Sequence, residues 1–497
     1  MLVDGGTIAW IGDDAAAQSH RDAAHRVVEL DGRLLAPGFV DAHVHATSTG
    51  LTLTGLDLTQ TDSLREALDL IEARARHLRG GVMLGHGWDE TRWPEGRPPT
   101  RQELDRATWG SVAYLSRVDV HSAAVSSALA ASVPGLSGLA GFDPTGPLSR
   151  EAHHAVREAA LASVTAGQRQ SAQAVLRARS VELGIVAVHE MAGPTISSED
   201  DLADLLAASS HQPGPLVTGY WGELATLGGI ERARALGAVG VAGDLFVDGA
   251  IGSRTASLCA PYLDAPDTAG AAYLDAEEIA AHVVAATQAG LQAGFHVIGD
   301  AASEAVLTGF LAAAGEIGDA AIRAGGHRLE HAELLNDENI AVMARLGIAA
   351  SMQPMFDGLW GGHEGMYEQR LGPERAARMN RFADLLAAGV QTAFGSDAPV
   401  TALGPWQAMR AAVHHSVPSQ RITTAQAFTA HTEAGWRAAS VPTAGVLAPG
   451  APAHYAIWSV GDADSDGLPE LGKESALPDC ARTVVSGCTV FDNGMLD

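Results

Sequence analysis

Three cysteines in 497 residues (Cys259, Cys480 and Cys488) are too few for a disulfide scaffold and suit a reducing compartment, so a cytoplasmic chain is expected. Basic residues are also scarce. With 32 Lys+Arg against 59 Asp+Glu the net charge is −27, which argues against a nucleic-acid partner, since that would need a basic face. Lysine occurs once, at Lys473. The opening MLVDGGTIAWIGDD has no basic region ahead of an apolar run, so no secretory signal is read there. A long stretch between Glu278 and Asp300 lacks Asp, Glu, Lys and Arg, which raises the question of a membrane span. It is broken by Gly290, Gly294, Gln288, Gln292, His282 and His296, and it opens on the capping-box pattern Asp275…Glu278. It predicts a soluble helix running into a buried strand, and no membrane contact. No Gly-x-Gly-x-x-Gly follows any predicted strand, which weakens a dinucleotide-binding reading.

At 46% hydrophobic and 18% charged the chain can bury a large core, so disorder is excluded as the main state. Its length corresponds to about three average domains, or to one barrel of about 200–250 residues with appendages. Short strands at Thr7–Ile11 and Arg26–Leu30, and at Ala453–Ser459, Thr483–Ser486 and Cys488–Phe491, predict a small β-sandwich built from both termini, residues 1–36 and 446–497. The first strand begins almost at Met1, so the leading strand usual in such a sandwich is expected to be missing.

Between them, residues 37–445 alternate strand and helix. Helix Asp275–Ala289 stops at Gly290 and is followed by strand Gly294–Gly299, helix Ser303–Ala314 and strand His327–Ala332. Helix Asp337–Leu346 stops at Gly347 and precedes strand Ile348–Gln353, helix Pro373–Ala388 and strand Thr392–Gly395. This α/β repeat favours a distorted (β/α)8 TIM barrel over an open sheet. Residues 50–165 interrupt it, carrying Trp88, Trp93, Trp109 and the strand-like Val112–Val118. They read as an insertion after the first barrel strand, packing over its C-terminal mouth.

Pro37-Gly-Phe-Val-Asp-Ala-His43-Val-His45 is an apolar strand ending in His-x-His, and its period of two points both imidazoles to one face. At a barrel strand's C-terminal end that face is the active-site mouth, where neutral imidazoles are natural ligands for zinc or a similar ion. Taken singly, His296 also reads as a core histidine, His331 as a loop histidine and Asp397 as a helix N-cap. All three fall where strands end in a chain that already carries His-x-His, and together they point to a metal site.

The chain resembles the amidohydrolase superfamily, and within it the amidohydrolase-3 group that includes YtcJ-like proteins and N-substituted formamide deformylase. The resemblance rests on PGFVDAHVH at 37–45, GHGWDE at 85–90, RVDVHS at 117–122, VDGAIGSRTA at 247–256 and HVIGDAA at 296–302. Further matches are RLEHAEL at 328–334, SMQP at 351–354, GSDAPV at 395–400 and AGVLAPG at 444–450. It implies metal ligation by His43 and His45 from strand 1, His296 from strand 5, His331 from strand 6 and Asp397 from strand 8, and a homodimer. Many relatives bridge two metals with a carboxylated lysine at the position where this chain has Asp244. Lys473 falls in a Pro/Gly-rich C-terminal segment outside the barrel, so a lysine bridge is not expected. The site is then mononuclear, or bridged by a carboxylate such as Asp244 or Glu190. Asp244 is shorter than a carboxylated lysine, which favours one tightly bound ion: zinc first, with iron, manganese or cobalt compatible.

The expected reaction is hydrolysis of a non-peptide carbon–nitrogen bond, of amide or formamide type, in a small-molecule substrate. The ion lowers the pKa of water toward about 7, Asp397 moves the proton, and the metal with a histidine such as His331 takes up carbonyl charge. His121 is a candidate for bonding the substrate carbonyl, and equally for capping a helix. Trp88 is read as a pocket wall or ordinary core. Arg254 is a candidate for binding a substrate carboxylate, with Asp248 expected to hold it in an ion pair. The adjacent pairs His153-His154 and His414-His415 read as surface histidines. A deaminase is the alternative enzyme, although Gly299, not glutamate, stands three residues after His296. A barrel that has lost catalysis and serves regulation is the third reading, against which stand five retained ligands.

Overall fold

The computed structural model describes residues 1–496 except 79, 119–121, 462–463 and 465–466. Eight strands form one parallel sheet in chain order. They are β1 (Phe39–Val44), β2 (Ile185–Ala192), β3 (Leu216–Trp221), β4 (Gly240–Val241), β5 (Gln292–Val297), β6 (Arg328–His331), β7 (Ala349–Met352) and β8 (Thr392–Phe394). Just beyond the strand ends the last meets the first: His43 accepts from Asp397 N (2.8 Å) and His45 N donates to the Ala398 carbonyl (3.0 Å). The sheet is therefore a nearly closed barrel with helices between its strands. β2 is buried at every position, which explains its continuous run without polar alternation: both faces of the sheet are covered.

The helix Ala276–Ala289 begins as expected. Asp275 Oδ1 accepts from Glu277 N and Glu278 N (both 2.9 Å), Glu278 Oε2 accepts from Asp275 N (3.1 Å), and Gly290 closes it at φ +70°. Its buried side, Ile279, Val283 and Ala286, and that of the next helix, Asp300–Ile317, with Val306, Leu307 and Phe310, supply core outside the sheet. The helix expected over Pro373–Ala388 is split into Pro373–Ala376 and Phe382–Ala387. Between them Asn380 takes φ +55°, and its amide bonds the Glu333 carbonyl (2.9 Å) rather than a carbonyl of its own helix. Among the described residues no single helix is long and apolar enough to cross a membrane.

Both termini build the small β-domain. Leu34–Pro37 pairs antiparallel with Tyr455–Ser459, which pairs with Asp479–Val485 and that with Cys488–Asp492. A separate hairpin, Leu2–Asp4 with Thr7–Trp10, is tied on by Ile8, whose amide donates to the Ala451 carbonyl (2.9 Å). Arg26–Leu30, expected as a strand, is irregular. Leu34–Pro37 occupies the ladder position beside Tyr455–Ser459, while Val28 and Leu30 pack their side chains against Ile457, Ala481 and Leu496.

Residues 46–176, between β1 and β2 in the chain, form a compact unit of their own. It has a five-stranded mixed sheet (Leu56–Asp57, Val82–Trp88, Val112–Arg117, Ser122–Val125, Leu148–Ser149) and a core around Leu64, Ile71, Trp88, Trp93 and Leu104. His153 is buried there with Nε2 2.7 Å from Tyr114 Oη, and His415, in the other unit, is buried with Nε2 on the Asn380 carbonyl (3.0 Å). Neither is the surface histidine expected, because each has found a polar partner inside; His154 is exposed.

Burial lowers the pKa of His282, His327, His431 and His454 to about 4. A depressed histidine contributes stability above its unfolded value of about 6.5 and loses it as pH falls toward 4. Each is expected to withdraw about 2 kcal/mol between pH 7 and pH 5. Chelator-treated protein should show a marked drop in urea midpoint over that interval, and an unchanged midpoint contradicts the assignment.

Candidate metal centre

Strand-end geometry gathers the predicted ligands. His43 sits inside β1 and His45 just past its end, on one face. His296 is the second-last residue of β5 and His331 the last of β6, at φ +68°. Asp397 lies three residues beyond β8 at φ +54°, and Asp244 follows β4 after Gly243 at φ +93°. All six side chains are buried.

Their donor atoms converge. Asp397 Oδ1 lies 3.1 Å from His45 Nε2 and 3.5 Å from His43 Nε2. Asp244 reaches the centre despite its short side chain. Its Oδ2 is 3.2 Å from His45 Nε2, and its Oδ1 is 3.4 Å from His296 Nδ1, 3.6 Å from His43 Nε2 and 3.7 Å from His331 Nε2. Ligands held about 2.1 Å from one ion at angles of 90–110° lie about 3.0–3.4 Å apart, close to these spacings. His43 with Asp244 and His331, and His43 with His45 and Asp397, each form a triad able to hold an ion.

The hydrogen bonds behind the imidazoles leave the right nitrogens forward. His331 Nδ1 is 2.8 Å from Gln353 Oε1 and His43 Nδ1 is 2.9 Å from Glu330 Oε2, so in both rings Nε2 faces the carboxylates. His296 reverses the order: Nε2 is 3.4 Å from the Gly249 carbonyl and Nδ1 faces Asp244. Among the described residues His43 Nε2 and Asp397 Oδ1 are buried without a hydrogen-bond partner. Burial alone would raise both aspartates, but the imidazoles, His43 foremost, outweigh it and hold them below the usual carboxylate range. Burial likewise works against charge on His331, yet Asp244 and Asp397 draw it up to about 9. Two ionised carboxylates and four imidazoles thus demand positive charge, and a divalent cation fits the donor set.

The remaining sequence candidates fall differently. Arg254 is already engaged: Nε and Nη2 bond Asp264 at 3.1 and 2.7 Å, and Arg370 binds the same carboxylate. Asp248 does not pair with Arg254 as expected. It is fully buried and accepts from the amides of Ser257 (2.8 Å), Ile298 (3.0 Å) and Gly299 (2.7 Å), organising the backbone beside β5. Trp88 is core of the 46–176 unit, its Nε1 donating to the Leu115 carbonyl (2.8 Å). His121 lies outside the described residues. Glu190 is buried in β2, and Lys473 is exposed between two strands of the terminal β-domain. Sequence reading missed Arg328, Glu330 and Gln353, although each lies in a motif it quoted. The available signal was a charged Arg-x-Glu pair inside a strand due for full burial.

Gly395 marks how tightly β8 abuts β1: a Cβ there would lie 2.5 Å from His43 N and 3.0 Å from Asp41 Oδ1. Gly395→Ala is expected to destabilise by about 1–3 kcal/mol and weaken metal retention, as read by urea unfolding and elemental analysis.

The comparisons agree with this geometry. The model of the amidohydrolase family matches residues 26–491. LONG AFTER FAR-RED 3 of Arabidopsis thaliana is 28% identical over 93% of this chain and 84% of its own length. YtcJ of Bacillus subtilis (strain 168) is 29% identical over 78% of this chain and 74% of its own. The crystal structure of a metal-dependent hydrolase from Pyrococcus furiosus superposes with a TM-score of 0.77 at 26% identity, covering 92% of this chain and 93% of that one. With nearly its whole length matched and its strand-end histidines and aspartates converged, the chain belongs to the amidohydrolase family.

Proposed function

We propose that this protein is a metal-dependent hydrolase that cleaves an amide- or formamide-type carbon–nitrogen bond in a small molecule. One observation carries the reading: four imidazoles from strand ends each lie 3.1–3.7 Å from Asp244 or Asp397, forming two triads that share His43. Family membership and the likeness to a metal-dependent hydrolase support it. The ion would be held by donors drawn from His43, His45, His296, His331, Asp244 and Asp397, with a position left open for water. Zinc is the first choice for this donor set, one ion per chain, with no carboxylated lysine. Bound there, such an ion polarises a carbonyl and lets water attack at neutral pH.

The chain's own residues do the rest. Asp397 Oδ1 is buried and held ionised, so it can take a proton from the attacking water and return it to the departing nitrogen. His331 is fixed by Gln353 with Nε2 toward Asp244, in place to steady charge on the carbonyl oxygen. Arg254 serves a substrate carboxylate only by leaving Asp264, so a neutral substrate is the better match.

His43→Ala is expected to abolish both metal retention and hydrolysis of a formamide and N-acyl amine panel. Asp397→Asn should lower turnover by about 100-fold or more while leaving most metal bound. Near-normal hydrolysis by either variant, once a substrate is in hand, contradicts the proposal.

A further inference from the structure

β6 carries a charged pair, Arg328 and Glu330, that the hydrolytic scheme leaves unused. Arg328, Glu330, His43 and His189 are all fully buried. Arg328 donates Nε to Glu330 Oε1 (2.5 Å) and Nη2 to Glu330 Oε2 (3.0 Å) and to the Ala42 carbonyl (2.6 Å). Its Nη1 reaches Tyr220 Oη (3.1 Å) and His189 Nδ1 (3.0 Å). Glu330 Oε2 also faces His43 Nδ1 at 2.9 Å.

Stability alone does not account for this pair. A buried ion pair loses in desolvation much of what it gains in attraction, and apolar replacement of both partners often leaves stability unchanged. The chemistry of His43 does account for it. An ionised carboxylate only accepts, so the proton of a neutral His43 ring must sit on Nδ1, leaving the Nε2 lone pair toward Asp244 and Asp397. Arg328 occupies the rest of the Glu330 carboxylate and anchors it to the β1 backbone at Ala42, one residue before His43.

We propose that Glu330, clamped by Arg328, is a positioning residue that fixes the Nδ1–H tautomer and ring orientation of His43 and thereby sets the protein's metal affinity. This rests on the metal-binding reading above and adds residues that reading does not name. Carboxylates behind metal-ligating histidines typically change affinity by about 10–100-fold when lost.

Two measurements test it on the full chain. Zinc affinity is measured by chelator competition for the wild type, for Glu330→Asp, which keeps the charge but shortens the reach to His43, and for the double variant Arg328→Met/Glu330→Leu, which removes both charges. Both variants are expected to bind zinc about 10–100-fold more weakly, while the chelator-treated double variant keeps a near-wild-type urea midpoint. A folded double variant with wild-type zinc affinity overturns the proposal. The second measurement depends on neither variant's folding: the nitrogen–proton spectrum of wild-type protein labelled in its histidine rings, with and without zinc. His43, assigned by the signal missing in His43→Gln, is expected to show a slowly exchanging proton on Nδ1. A metal-free His43 protonated on Nε2 alone overturns the assignment. Wild-type protein that binds no zinc at all contradicts the metal-binding reading instead, so the two failures are told apart.

Discussion

Everything at the barrel mouth depends on holding two ionised carboxylates and four imidazoles together out of water. Uncompensated, such a cluster is expensive in a low-dielectric interior. Asp244 and Asp397 stay ionised because positive charge faces them, either as protons on His45 and His331 or as a bound cation. A divalent ion held there would bind imidazole lone pairs and neutralise the carboxylates together. Without the ion, protons on His45 and His331 carry that positive charge.

That arrangement is built from strand ends. The candidate ligands on β1, β5 and β6 and just beyond β4 and β8 need no long loops to meet, because barrel closure brings Asp397 beside His43 through backbone bonds. Behind them, Glu330, Gln353 and the Gly249 carbonyl each take one ring nitrogen, which decides which nitrogen points forward. Asp244 emerges from the short β4 close enough that its carboxylate sits among the histidines.

Much of this was legible from the sequence where a local rule governs it. A capping box and glycine stops located the helix Ala276–Ala289, a glycine stop located Asp337–Leu346, and His-x-His at the end of an apolar strand located the first candidate ligands. What was not legible depends on partners distant in the chain. Arg26–Leu30 has strand composition, but ladder position beside Tyr455–Ser459 went to Leu34–Pro37. Asp248 looked like a mate for Arg254, and only the fold reveals Asp264 beside that arginine and three amides around Asp248. The reach of Asp244 was underestimated because side-chain length was weighed without the path of its backbone. Arg328 and Glu330 were passed over because their strand was read for His331, and the partners that hold the pair, His43 and Tyr220, lie far away in the chain.

The most direct test of the central claim is metal content per chain, by elemental analysis of protein purified without added metal or chelator. About one divalent ion per chain is predicted, and about two would keep the claim while assigning Asp244 as a bridging ligand. A content near zero that added zinc or iron cannot raise would contradict it.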